Sequence, residues 1–260
     1  MPIYHDQLYR EINLPATPKR IISVVPSQTE LLFYLGLDEE IIGITKFCIH
    51  PADKFKQTTK VGGTKDLNIN LIKELKPDLI IANKEENERS QIEELMTVCP
   101  VWISDISNLD EALNMITEVG KLINREEQAN ELTQLISQRF AQLNLQPLNL
   151  KVAYLIWRKP YMVAGQDTFI DNMLQKCGLT NVFKLERYPE VTNKMLIKSN
   201  PDLVFLSSEP YPFKQKHIDE FKALLPNAKV ILVDGEMFSW YGSRLLEAPG
   251  YFEGLIKHLM

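Results

Sequence analysis

The chain has 260 residues, enough for one large domain or two medium ones with a sizeable core. Its 45 % apolar and 24 % charged composition is that of an ordinary globular protein, and a formal net charge of −5 gives no electrostatic footprint for nucleic acid. No apolar run approaches the ~18 residues that a membrane-spanning helix needs, and residues 1–20, with Asp6 and Glu11 among them, show no signal-peptide core, so that taken as it stands the sequence is expected to stay in the cytoplasm.

Arg20–Val25 is a short β-branched apolar run that reads as a buried strand stopped by Pro26. Ser27-Gln28-Thr29-Glu30 follows with the S-x-x-E spacing of a capping box, ahead of a helix through Leu31–Leu35 that Gly36 ends. Strands are expected at Ile41–Ile44, Asp78–Ala82 and Val98–Ile103, with a helix at Leu71–Leu75 that Pro77 terminates. Alternating strands and helices without hairpin signals imply a parallel sheet covered on both faces.

From about Asn108 to Gln146 apolar residues recur at helical spacing: Leu113, Ile116, Val119, Leu122 and Ile123, then Ala129, Leu132, Leu135, Ile136, Phe140 and Leu143. Two helices are expected, with Asn124 and Glu127 forming a capping box at the start of the second. Run from Arg125 to Asn144, that second helix spans roughly 30 Å, long enough to bridge two lobes. Beyond it the αβ pattern restarts. Strands are expected at Lys151–Trp157, Leu203–Leu206 and Val230–Val233, and a helix at Thr168–Cys177. Leu71-Ile72-Lys73 before Pro77-Asp78-Leu79 is echoed by Leu196-Ile197-Lys198 before Pro201-Asp202-Leu203, which favours two similar lobes.

Ligands of open parallel sheets bind outside the carboxyl ends of the strands. That rule selects Pro26–Thr29, Thr45–His50, Gly62–Lys65 and Asn83–Glu86 in the first half, and Trp157–Tyr161, Tyr188-Pro189, Ser207–Tyr211 and Gly235–Tyr241 in the second. The second set is rich in large rings, which points to a flat apolar ligand. The helix starting near Ser27 also aims its first N–H groups at these loops, where an anionic group is favoured. Walker A, GxGxxG, GxSxG and HExxH patterns are all absent. Cys48, Cys99 and Cys177 lie too far apart for a CxxC site and read as buried free thiols; Cys48-x-His50 is a weak ligating pair, with His50 the candidate.

Arg20-Ile21-Ile22-Ser23 through Pro26–Glu30, Lys76-Pro77-Asp78-Leu79-Ile80, the Trp157–Gly165 stretch, Tyr188-Pro189-Glu190-Val191 and Asn200-Pro201-Asp202-Leu203-Val204 carry a family likeness over nearly the whole chain. The sequence resembles the substrate-binding proteins of ABC importers for cobalamin, haem and ferric siderophores, most of all the cobalamin binders. The resemblance implies an α/β fold of two lobes, each a parallel-sheet αβ sandwich, joined by one long backbone helix: residues 1–124, 125–146 and 147–260. It implies a monomeric, non-enzymatic receptor, outside the cytoplasmic membrane and not spanning it, that holds a corrinoid or iron chelate in the interlobe cleft with no covalent cofactor.

Phe47, Thr64, Tyr188, Glu236 and Trp240 fall where the cobalamin binders touch their corrinoid, and Phe47 and Tyr188 keep an aromatic ring there. Trp157 and Phe238 join Phe47, Tyr188 and Trp240 as expected stacking rings, and Arg244 joins Glu236 as a polar contact. In that family outward carboxylates dock on the arginines of an ABC permease; the matching positions here are Asn70 and Lys194, which reverses the charge at one of them. The alternatives of another class are a cytoplasmic tetrapyrrole or metal chelatase using His50 or Glu236, and an intracellular ligand sensor.

Overall fold

The computed structural model describes residues 3–259, and the chain divides into two compact units. One comprises the chain up to Asp105, Asp110–Gln138 and Tyr241–Arg244; the other comprises Ile106–Leu109, Arg139–Trp240 and the chain from Leu245 onward. Up to the middle of the chain the elements are β1 (Ile3–His5), β2 (Glu11–Asn13), β3 (Ile21–Ser23), α1 (Pro26–Tyr34), β4 (Ile41–Ile44), α2 (Ala52–Gln57), β5 (Thr59–Lys60), α3 (Ile69–Leu75), β6 (Leu79–Asn83), α4 (Arg89–Leu95), β7 (Val101–Ser104), α5 (Leu109–Leu122) and α6 (Glu126–Gln142).

The first unit is built on a parallel sheet in the order β5-β4-β3-β6-β7. Every residue of β3, β6 and β7 is buried. Runs such as Leu79–Ala82 are apolar on both sides because both faces of the sheet are covered. Ile22, Val24, Ile80, Ala82, Val101 and Ile103 pack with Ile72, Ile92 and Leu95 of the helices. The hairpin β1–β2 was not apparent in the sequence. Asp6 organises it: its carboxylate accepts from the N–H groups of Leu8 and Arg10 at 3.0 Å each and pairs with the Arg10 guanidinium, which also donates to the Val101 carbonyl of β7.

Two expected caps are corrected. α1 begins with Pro26 at its first position, where the missing N–H costs nothing, and Val25 is its N-cap with no side-chain bond. Ser27-x-x-Glu30 therefore is not a capping box. Asn124 does not cap α6 either: with φ 55° it ends α5, its N–H reaching Lys121 O at 3.2 Å and that of Arg125 reaching Gly120 O at 2.7 Å, the two bonds of a Schellman motif. The helices meet closely at this corner. A Cβ on Gly120 would lie 2.3 Å from Ala129 Cβ. Gly120→Ala is expected to lower stability by ~1–3 kcal/mol, read by chemical denaturation, because α5 and α6 must separate. Of the expected apolar stripe of α6, Ala129, Leu132, Ile136 and Phe140 are buried, whereas Leu135 is exposed.

The second half runs β8 (Lys151–Trp157), β9 (Tyr161–Val163), α7 (Phe169–Lys176), β10 (Thr180–Asn181), β11 (Glu190–Val191), α8 (Asn193–Ser199), β12 (Leu203–Ser207), α9 (Gln215–Leu224), β13 (Lys229–Val233), α10 (Gly235–Ser239) and α11 (Ala248–Leu259). The α/β class and the two αβ units hold, but the expectation of a purely parallel sheet holds only in the first. In the second, the order is β11-β9-β8-β12-β13 with β10 also on β8, and β9 runs antiparallel to both β8 and β11. The β8–β9 hairpin escapes a search for glycine or asparagine turns because Arg158-Lys159-Pro160 makes it.

The echoed segments are equivalent in detail. Asn68 caps α3 by accepting from Leu71 N at 3.1 Å, and Thr192 caps α8 by accepting from Met195 N at 3.3 Å. Each helix ends on a left-handed residue, Lys76 at φ 48° and Asn200 at φ 44°, before its proline. The following aspartate then holds the head of a neighbouring strand: Asp78 accepts from Lys19 N and Arg20 N at 2.7 and 2.9 Å, and Asp202 accepts from Lys151 N at 2.8 Å.

Candidate ligand-binding site

In the first unit the carboxyl ends of the strands are floored by a buried polar network. Asn83, the last residue of β6, accepts from Glu85 N and Glu86 N at 2.8 and 2.9 Å and donates to Ser104 Oγ at 3.0 Å. Asn87 donates to the carbonyls of Val24 and Thr64, both at 3.0 Å, tying the ends of β3 and β6 to the Gly62–Lys65 loop. Gln28 reaches across to Ser104. Thr64 thus contributes a backbone oxygen to the floor and is half-buried. The strand-end rule selects Asn83 within the Asn83–Glu86 loop but stops short of Asn87, although a pair of asparagines four apart at a strand end is a pattern that organises loops.

Above this floor Phe47 is 50 % exposed, with the Lys46 ammonium 5.2 Å from its ring centroid. Cys48 points inward, within 3.1 Å of both Thr29 Oγ1 and Thr45 Oγ1, and burial pushes its thiol up. Cys48 and His50 therefore make no ligating pair, and the described residues contain no cluster of three metal-ligating side chains. The segment Tyr241–Arg244 lies on the same unit. Tyr241 Oη donates to Glu86 Oε1 at 2.7 Å, and Arg244 donates to both oxygens of Glu30, from Nε at 3.2 Å and Nη2 at 2.6 Å. Burial first, then Glu85, pushes the Glu86 carboxyl up against the opposing pull of Tyr241. Gly242 allows the close fit: a Cβ there would sit 2.9 Å from the Ser27 carbonyl oxygen.

In the second unit Trp157, at the end of β8, is 39 % exposed. Its indole N–H donates to Lys159 O at 3.3 Å, and Tyr211 packs edge-on at 5.6 Å. Arg158 donates to Glu220 Oε2 from Nε at 2.9 Å and from Nη2 at 2.7 Å, while Tyr161 Oη donates to Oε1 at 2.5 Å. Burial works to raise the Glu220 pKa, but the bonds from Arg158 and Tyr161 outweigh it and hold the carboxyl below its ordinary range. Tyr188 is half-buried just ahead of β11, and Glu236 is half-buried in the first turn of α10, its N–H bonded to Asp234 at 3.1 Å.

Two expected stacking rings are in the interior. Phe238 is fully buried against Tyr154, Phe205, Tyr251 and Phe252, with ring centroids 4.9 to 6.2 Å away. Trp240 is 5 % exposed and donates its indole N–H to Glu209 Oε1 at 2.7 Å. Both belong to α10 or its end, where a five-residue helix between β13 and the return of the chain leaves apolar side chains only one place to go. Asn70 and Lys194 are exposed and occupy the second helical position of α3 and α8, the same place in the two echoed helices.

Residues 21–224 match the sequence pattern of the periplasmic binding protein family. The chain belongs to that family. Proteins of this family bind substrates and do not transform them, so the ligand-binding reading stands and the chelatase alternative is not favoured. This periplasmic binding protein is 25 % identical over 241 residues to a vitamin B12-binding protein of Pectobacterium carotovorum subsp. carotovorum, covering 90 % of this chain and 86 % of that one. It is 24 % identical over 258 residues to the ABC transporter substrate-binding lipoprotein YvrC of Bacillus subtilis, whose function is uncharacterised, covering 93 % and 81 %. A solved structure of a possible iron-binding, periplasmic solute-binding protein of Staphylococcus epidermidis superposes with a TM-score of 0.75 at 25 % identity, covering 94 % of this chain and 99 % of that one. No described helix is long and apolar enough to cross a membrane.

Proposed function

We propose that this protein is an extracytoplasmic capture receptor for a corrinoid or closely related tetrapyrrole or iron chelate, which it delivers to an ABC permease. The observation that carries the reading is the placing of large exposed rings at strand ends: Phe47 in one unit and Trp157 in the other are 50 % and 39 % exposed. Exposed rings on well-braced loops are what a flat apolar ligand needs, because stacking contributes most when the ring loses little freedom on binding. The vitamin B12-binding relatives support a corrinoid in particular. Phe47, Trp157 and Tyr188 are the stacking rings, and Thr64 and Glu236 supply polar contacts.

Titrating the purified protein with cyanocobalamin, haemin and a ferric tris-catecholate, followed by absorbance, tests the reading. Binding of cyanocobalamin with a Kd of about a micromolar or tighter is the expected result; binding of none of the three removes it. Docking on the permease uses the exposed starts of α3 and α8, where Asn70 and Lys194 call for a partner surface without a matching pair of arginines.

A further inference from the structure

Arginine is the side chain best suited to clamp a carboxylate, because its planar fork donates two parallel N–H bonds. The arginines beside the expected ligand loops already hold internal partners. Arg244 is bound through two nitrogens to both oxygens of Glu30, and the two side chains are only 13 % and 19 % exposed. Arg158 is bound twice to Glu220 Oε2 at 2.9 and 2.7 Å. Arg187, next to Tyr188, donates to the Asp167 carbonyl at 3.0 Å. The Arg244 pair is also fixed in place, because Tyr241 is tied to Glu86 and Gly242 lies against the first turn of α1, from which Glu30 projects.

We propose that Glu30, by closing Arg244 into an ion pair at the strand ends of its unit, sets the ligand preference toward uncharged, amide-bearing ligands and against carboxylate-bearing ones. The inference rests on the reading above and narrows it. A carboxylate arriving at these loops has to displace Glu30 from a partly buried guanidinium, exchanging one charge-assisted pair for another with no net gain. A carboxamide makes no such demand. Its C=O and NH2 groups bond to neutral donors and acceptors and so leave the Glu30 pair in place. Glu30 is thus a specificity-determining residue that rejects anions by neutralising the Arg244 guanidinium, in the sense that discrimination often rests on a built-in unfavourable term.

The experiment compares Glu30→Gln with the wild-type protein, using cyanocobalamin, which is uncharged overall and ringed by carboxamides, and haemin, which carries two propionates. Wild-type protein is expected to favour cyanocobalamin. Glu30→Gln is expected to gain about tenfold or more in haemin affinity, with cyanocobalamin nearly unchanged, because the guanidinium becomes available to a propionate. The gain should shrink as salt is raised, and it should vanish in the double variant Glu30→Gln/Arg244→Gln. A folded Glu30→Gln variant with an unchanged haemin-to-cyanocobalamin ratio overturns the proposal while leaving the receptor reading intact. If neither ligand binds either protein, the receptor reading itself falls. A second measurement needs no variant: wild-type protein should bind haemin dimethyl ester at least as tightly as haemin, and a clear preference for the free acid overturns the proposal.

Discussion

Replacing Trp157 with alanine is expected to weaken ligand binding by at least about thirtyfold, or ~2 kcal/mol, with little change in stability. The indole is 39 % exposed, so its removal leaves no buried cavity. It is nevertheless held in one orientation by Tyr211 at its edge and by its own N–H bond to Lys159 O. A braced ring of this kind loses little rotamer freedom when a flat ligand stacks on it, and its loss is felt almost wholly in the complex. Equilibrium titration of the variant beside a denaturant melt checks both halves of this expectation. Unchanged affinity would exclude Trp157 from the site.

Phe238→Ala should do the opposite. Its ring has no exposed surface and touches Tyr154, Phe205 and Phe252 at centroid distances of 5.3, 6.1 and 4.9 Å. Truncation removes the ring's transfer energy and opens a cavity in an aromatic cluster that cannot collapse around it, a loss of ~3–5 kcal/mol of stability. The fraction that remains folded should bind ligand as the wild type does. A variant of ordinary stability that has lost binding would return Phe238 to the ligand site and overturn its assignment to the core.

The contrast between these two rings marks where sequence reasoning ended. Both are aromatic residues in predicted strand-end loops, and no local pattern separates them. Trp157 stays at the surface because β8 ends and the chain turns back into β9, whereas Phe238 is carried inward by the short helix α10. Strands such as Leu79–Ala82 and Lys151–Trp157 were legible because a two-sided burial pattern needs no knowledge of partners. The echo of Pro77-Asp78 in Pro201-Asp202 was legible too, and the structure adds the reason for the aspartate: it receives the N–H groups at the head of the adjoining strand.

Long-range partnerships were not legible. Glu30 fits a capping box by spacing, yet its partner is Arg244, 214 positions away. Tyr241 and Glu86 are 155 apart, and Arg158 and Glu220 are 62 apart. Asn124 shows a local failure of a different kind. Asparagine suits a helix start and a left-handed helix end alike, and only the carbonyls it reaches decide between them.

Hydrogen exchange with and without bound cyanocobalamin tests most directly that the strand-end loops, with their exposed rings, are the ligand site. Protection is expected across residues 45–50, 157–161 and 186–189. No change is expected in α6 and α11, where Arg139, Gln142, Tyr251 and Glu253, with Leu246 and Glu247 just ahead of α11, line a separate pocket of about 450 Å³. Protection at that pocket, with none at the loops, would contradict the account.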